Sequence, residues 1–128
     1  MKRRNFIAAA SAAALSASAW AQDAYPSRPV RLIVPFPPGG PTDIMGRTAA
    51  KAMGERLGQQ FVVENKAGAG GNIGTDAVAK AAPDGYTIGL AAISSLAIAP
   101  HLYVKLPFNV GKDLAPIALV STTPCAIM

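Results

Sequence analysis

Side chains able to do covalent or acid–base chemistry are few in this sequence, and their spacing matches no catalytic set. There is one histidine, His101, and one cysteine, Cys125. His101 follows Pro100 in a short apolar stretch, where a surface or hydrogen-bonded histidine is the ordinary outcome. Cys125 begins the apolar run Cys125-Ala126-Ile127-Met128 and reads as a small core residue rather than a reactive thiol. A lone histidine, a lone cysteine and scattered acids offer no metal-ligand spacing. Ser94 and Ser95 are not framed by the G-x-S-x-G of a nucleophile elbow. No catalytic residue and no metal is therefore assigned. The hydroxyls of Ser94 and Ser95 are candidate donors to a ligand, or caps for the helix that follows.

What the sequence offers instead is main chain. Pro35-Phe36-Pro37-Pro38-Gly39-Gly40 leaves an apolar run and leads straight into Pro41-Thr42-Asp43. Proline fixes φ and glycine frees it, so such a loop holds one unusual shape. It feeds a helix N-terminus, where four backbone N–H groups lack partners and the helix dipole is positive. That is an anion site without a lysine, centred on Gly39 and Gly40. A carboxylate inside the pocket would repel an anion, so Asp43 reads as structural, turned toward the helix start. Thr42 shares the capping role, and Arg47, one turn on, is a partner for Asp43. A second amide-rich loop, residues 65–74, precedes a helix and is a second candidate anion site. Counted from Gly68, G-x-G-x-x-G needs glycine where Ile73 stands, and no Gly-Lys-Ser/Thr is present. The dinucleotide and P-loop readings fail on that spacing, and no cofactor is assigned. A capped strand-to-helix turn and a flexible connection are the plain structural alternatives for the two loops.

The elements that must position these loops alternate. Residues 30–34 read as a strand. Residues 43–57 read as a helix, with Met45, Ala49, Ala52, Met53 and Leu57 along one face and Gly58 as its stop. Residues 61–63 are a second strand. Residues 74–82 are a second helix with Ala77, Val78 and Ala81 on one face. Pro83-Asp84-Gly85 is a turn, and residues 86–92 a third strand. Residues 94–103 are a helix perturbed by Pro100, residues 106–112 a loop and residues 117–120 a fourth strand. A fifth begins as the sequence reaches Met128. The alternation predicts an α/β fold, a parallel sheet with flanking helices. Ligands of such sheets bind outside the carboxyl ends of the strands. Both glycine loops share that rim if the first two strands are neighbours.

The first 21 residues stand apart. Lys2-Arg3-Arg4, an Ala/Ser-rich apolar stretch and Ala19-Trp20-Ala21 before Gln22 form a secretory signal peptide. Arg3-Arg4-Asn5-Phe6-Ile7 also resembles a twin-arginine motif, so the route is Sec or twin-arginine. Residues 22–128 then carry nine basic and seven acidic side chains, a net +2. The basic character of the whole sequence is mostly the targeting segment. With no Lys/Arg cluster interleaved with aromatics, nucleic acid drops out as a partner. A single cysteine also rules out a framework of internal disulfides. An exported α/β domain with two amide-rich rims suggests a receptor for a small carboxylated solute.

The order and spacing of several segments resemble the Bug family, periplasmic solute-binding receptors of tripartite tricarboxylate transporters. They are Tyr25-Pro26-Ser27-Arg28-Pro29-Val30, Pro38-Gly39-Gly40 with Asp43, and Glu64-Asn65-Lys66-Ala67-Gly68-Ala69-Gly70-Gly71-Asn72-Ile73-Gly74. Ala82-Pro83-Asp84-Gly85-Tyr86-Thr87, Pro100-His101-Leu102-Tyr103, Leu106-Pro107-Phe108 and Lys112-Asp113-Leu114-Ala115-Pro116 complete the set. The resemblance implies a monomeric, periplasmic, two-domain receptor related to the type II periplasmic binding proteins. It implies a carboxylate held by amides after the first two strands, here Phe36, Pro38, Gly39 and Gly40 and then Ala69, Gly70, Gly71 and Asn72, and transient membrane partners. Residues 22–128 then correspond to the first domain, with the second absent from this sequence, so that residues 22–128 alone are expected to bind carboxylates weakly or not at all. Two departures stand out: Gly46, where the family often has alanine, and Ala99, where many members have asparagine. Two other readings compete: a truncated non-functional receptor fragment, and an exported enzyme domain with a phosphate or nucleotide site.

Overall fold

The computed structural model describes residues 25–122. The signal peptide, Cys125 and the expected fifth strand lie outside those residues.

Three parallel strands form the sheet: β1 (Val30–Val34), β2 (Phe61–Asn65) and β3 (Thr87–Gly89), in the order β2-β1-β3. The register runs from Val30 opposite Phe61 to Val34 opposite Asn65, with Leu32 opposite Ile88 on the other side. β1 is the centre of the core. Val30, Leu32, Ile33 and Val34 are all buried, as a strand covered on both faces requires. Its one exposed residue, Arg31, reaches Glu64 of β2 at 2.6 Å.

The first crossover runs from β1 to β2 and the second from β2 past β1 to β3. With right-handed crossovers, this reversal puts the two long helices on opposite faces. Accordingly α1 (Pro41–Leu57) packs on β1 and β2, and α2 (Asn72–Ala79) on β1 and β3. The buried residues of α1 are Asp43, Gly46 and Ala50, not the stripe of Met45, Ala49, Ala52, Met53 and Leu57. Small side chains let the helix axis approach the sheet, and a Cβ on Gly46 would meet Val34 Cγ2 at 2.8 Å. Met45, Ala49 and Met53 flank this seam half-buried, while Ala52 and Leu57 face solvent. α1 ends at Gly58, whose left-handed backbone directs its N–H to the Gly54 carbonyl.

Other boundaries also moved. α2 starts at Asn72 and ends at Ala79, and β3 is shorter than residues 86–92. The β3 ladder stops after Leu90 N–H reaches the Ile33 carbonyl, because Pro35 has no N–H to continue it. The helix over residues 94–103 is split into a π turn (Ser94–Ile98) and α3 (Ala99–Leu102). Pro100 cannot donate to the preceding turn, which loosens the spiral there. The expected loop at residues 106–112 contains a short helix, α4 (Val110–Asp113), capped by Asn109 Oδ1 accepting from the amides of Gly111 and Lys112. The fourth strand does not form. Residues 117–120 lack a ladder partner among the described residues, and Ile117 and Leu119 are more than four-fifths exposed. Strand composition alone does not make a strand without a neighbour to pair with.

Candidate functional site

The loops after β1 and β2 leave the same edge of the sheet, because the strands are parallel neighbours. At the β1 exit the chain turns through residues 35–40 and enters α1 behind an extended Gly40. Asp43 is nine-tenths buried beneath this turn. Its Oδ2 accepts from the Gly39 N–H and from Arg47 Nε, each at 2.9 Å. Its Oδ1 accepts from Asn65 Nδ2 at 2.8 Å. The same Asn65 nitrogen donates to the Phe36 carbonyl at 3.0 Å, and Arg47 Nη2 donates to Asn65 Oδ1 at 3.2 Å. The hydrogen bond from Arg47, then those from Gly39 and Asn65, hold the Asp43 carboxyl far below the usual carboxylate range. The reciprocal contact raises Arg47. The Asp43 charge is thus balanced and directed inward, not into the space above the loop. Thr42 makes no side-chain cap to α1.

Fewer amides remain here than the sequence suggested. Pro41 occupies the first helical turn and has no N–H, and Gly39 donates to Asp43. Among the described residues no acceptor takes the N–H groups of Phe36, Gly40, Thr42 or Asp43. Proline therefore fixes the loop and also limits how many donors it presents.

The second loop is built differently. Ala69, Gly70 and Gly71 have φ of 47°, 64° and 97°, a left-handed run. Gly71 N–H is used on the Gly68 carbonyl, and Asn72 N–H on the Ala69 carbonyl. Ala69 and Gly70 are exposed, whereas Gly71 and Asn72 are buried. Asn72 Oδ1 has no hydrogen-bond partner among the described residues. The loops touch one another: a Cβ on Gly71 would lie 3.6 Å from both the Phe36 ring and Pro35. Closer still, a Cβ on Gly74 would stand 2.7 Å from Pro35 Cα.

The β3 exit closes the group. Ser94 Oγ donates to the Gly70 carbonyl at 2.9 Å, so it anchors the second loop. Ser95 is fully buried and its hydroxyl donates to the Ala92 carbonyl. The π turn rotates it away from the rim. His101 instead lines an open groove with Leu96, Tyr103, Phe108 and Asn109, residues of neither loop. No cluster of three metal-ligating side chains occurs among the described residues. The residue that sequence reasoning missed is Asn65. Its one visible mark was position, as the last residue before the glycine-rich stretch.

Residues 45–128 match the model of the tripartite tricarboxylate transporter family receptor. Protein BugT of Bordetella pertussis is 50% identical over 107 residues, covering 83% of this chain and 33% of that protein. The structure of periplasmic binding protein BugD is 48% identical with a TM-score of 0.66, over 70% of this chain and 29% of that one. MatC from Rhodopseudomonas palustris, solved with bound malate, is 41% identical with a TM-score of 0.71, over 75% of this chain and 33% of that one. The chain thus spans about a third of the length of the relatives it matches. By sequence and by fold, it belongs to the tripartite tricarboxylate transporter receptor family.

Proposed function

We propose that residues 25–122 form one wall of an extracytoplasmic site that captures a small carboxylated solute. The observation that carries this reading is the meeting of two amide-bearing loops, residues 36–40 and 69–72, packed against each other on one sheet edge. Phe36, Gly40, Ala69 and Gly70 offer main-chain donors. Gly39 and Ser94 hold the loops from behind. A carboxylate fits such a wall because it accepts several N–H bonds at once and favours a helix N-terminus. The malate bound in MatC supports the class of solute.

In this reading the facing wall comes from a second domain, in the length that the relatives have beyond this chain. The solute is then released to the membrane components of a tripartite transporter. The protein works as a periplasmic monomer, exported by residues 1–21 through the Sec or twin-arginine route, and catalyses no reaction. No helix among the described residues is long and apolar enough to cross a membrane.

The test is calorimetry with malate, adipate and citrate on the protein isolated from the exported fraction, whose intact mass is measured first. Micromolar binding of at least one is expected. Residues 22–128 alone should bind the same solute far more weakly, since one wall provides only part of the donors. Folded, exported protein that takes up none of the acids would refute the reading, as would micromolar binding by residues 22–128 for the two-walled site.

A further inference from the structure

We infer that Asn65 is a positioning residue for the carboxylate wall, coupling the β1 exit loop to β2. The inference rests on the reading of that wall given above. Asn65 faces three groups with fixed hydrogen-bonding character. The Phe36 carbonyl and the Asp43 carboxylate can only accept, and the Arg47 guanidinium can only donate. One amide supplies two donors and one acceptor, so it satisfies all three, and its orientation is fixed by them. Aspartate, of the same shape, offers acceptors only. Leucine offers nothing.

The consequence lies in the Phe36 peptide. Its carbonyl is held from below by Asn65, and the loop continues to Gly39, whose N–H is held by Asp43. Both tethers lead to the same Asn65–Asp43 contact. The proline-rich loop is therefore fastened at two points, three residues apart, to the end of β2. From there the chain leaves toward the second loop, and Lys66 N–H, the next residue's amide, bonds to the Val34 carbonyl at 2.8 Å. The spacing between the two sets of free amides is thus fixed before a ligand arrives. Ordering that is already complete does not have to be subtracted from binding.

The test uses the exported protein, titrated with malate, adipate and citrate, the tightest binder being carried forward. Asn65→Ala should weaken binding about tenfold, the scale of losing these bonds. Without ligand, the Gly39 amide should exchange about tenfold faster, while the β1 and β2 ladder amides keep their rates. Asn65→Asp, which preserves volume, should bind at least as weakly as Asn65→Ala. Affinity within twofold of the unaltered protein in either variant would overturn the inference. So would a uniform rise in ladder exchange with unchanged affinity, which would make Asn65 merely structural. If the unaltered protein bound none of the acids, the carboxylate reading would fall and the inference with it. That outcome is recognisable because the Gly39 exchange rate is read without ligand.

Discussion

Gly74 is the position where the two loops can be pushed apart with one methyl group. A Cβ there would meet Pro35 Cα and Cβ at 2.7 Å and the Lys66 carbonyl oxygen at 2.9 Å. None of these is the free end of a flexible side chain. Two are backbone atoms and the third belongs to a proline ring. Relief to ordinary carbon contact needs a retreat of about 0.7 Å or more. It must come from α2 as a unit, away from the exits of both β1 and β2. Alanine gains at most about 1 kcal/mol over glycine in a helix interior, and less in the first turn, where Gly74 lies. Overpacking a well-filled contact costs about 1–3 kcal/mol. The balance is a net loss of about 1–2 kcal/mol. Urea unfolding of Gly74→Ala should show it as a lower midpoint with an unchanged slope. On the proposed carboxylate reading, binding of whichever acid the protein takes up should weaken as well, because Gly71 rides on the same helix end. A useful control is Gly58→Ala, where nothing lies within 4 Å and φ is 69°. It should cost about 1 kcal/mol of left-handed strain and leave binding alone. If Gly74→Ala were neutral or stabilising, α2 would not be wedged against Pro35, and the rigid two-loop wall would be wrong.

Four further outcomes are expected. Asp43 titrates lower in the folded protein than in the unfolded chain, so its contribution is complete above about pH 4 and is lost as pH falls further. Asp43→Asn should therefore lower stability at pH 7 and flatten the acid limb of the stability–pH curve; an unchanged acid limb would refute the ion pair with Arg47. Glu64 is held low mainly by Arg31 and then Lys66, but the groups are a third to a half exposed. Glu64→Gln should thus cost under about 1 kcal/mol, vanishing in 1 M salt; a larger, salt-independent loss would contradict that exposure. Ile33→Ala removes most of a side chain that is 1% exposed at the centre of the sheet. A loss of roughly 2–5 kcal/mol is expected from chemical denaturation. Asn109→Ala deletes the cap of α4 and should speed amide exchange at Gly111 and Lys112, costing about 1 kcal/mol locally with the global midpoint unmoved.

The alternation of the first three strands with helices, and a shared rim for the two glycine loops once β1 and β2 are neighbours, were legible in the sequence, whereas the strand order β2-β1-β3 was not. An apolar five-residue run, a proline-glycine exit and a helix stop at Gly58 each carry their own mechanism. The buried face of α1 was not legible. Apolar periodicity points to methionines, while close approach to Val34 selects Gly46 and Ala50, which periodicity ranks low. The glycine at position 46, where the family often has alanine, is a fitted contact. Asn65 was invisible for another reason. Its partners lie 18 to 29 residues away, and only the register of Val34 against Asn65 brings them together. Residues 117–120 have strand composition, but pairing is a property of neighbours, and none is present among the described residues. Ser95 is buried within the π turn; Pro100 announced a perturbed helix there, but not which of the two serines would be turned inward.

The exposed surface of the wall is almost free of side-chain functional groups. Phe36, proline, glycine and Ala69 present peptide bonds, while the polar residues that shape them stand behind. Peptide bonds are the same in every protein. In the proposed carboxylate reading, such a surface grips the feature that all carboxylated solutes share, yet it has little means of telling one from another. Discrimination then falls to whatever faces it. A lineage of receptors could diversify its diet by altering the opposite wall alone, inheriting this lobe unchanged from one solute to the next.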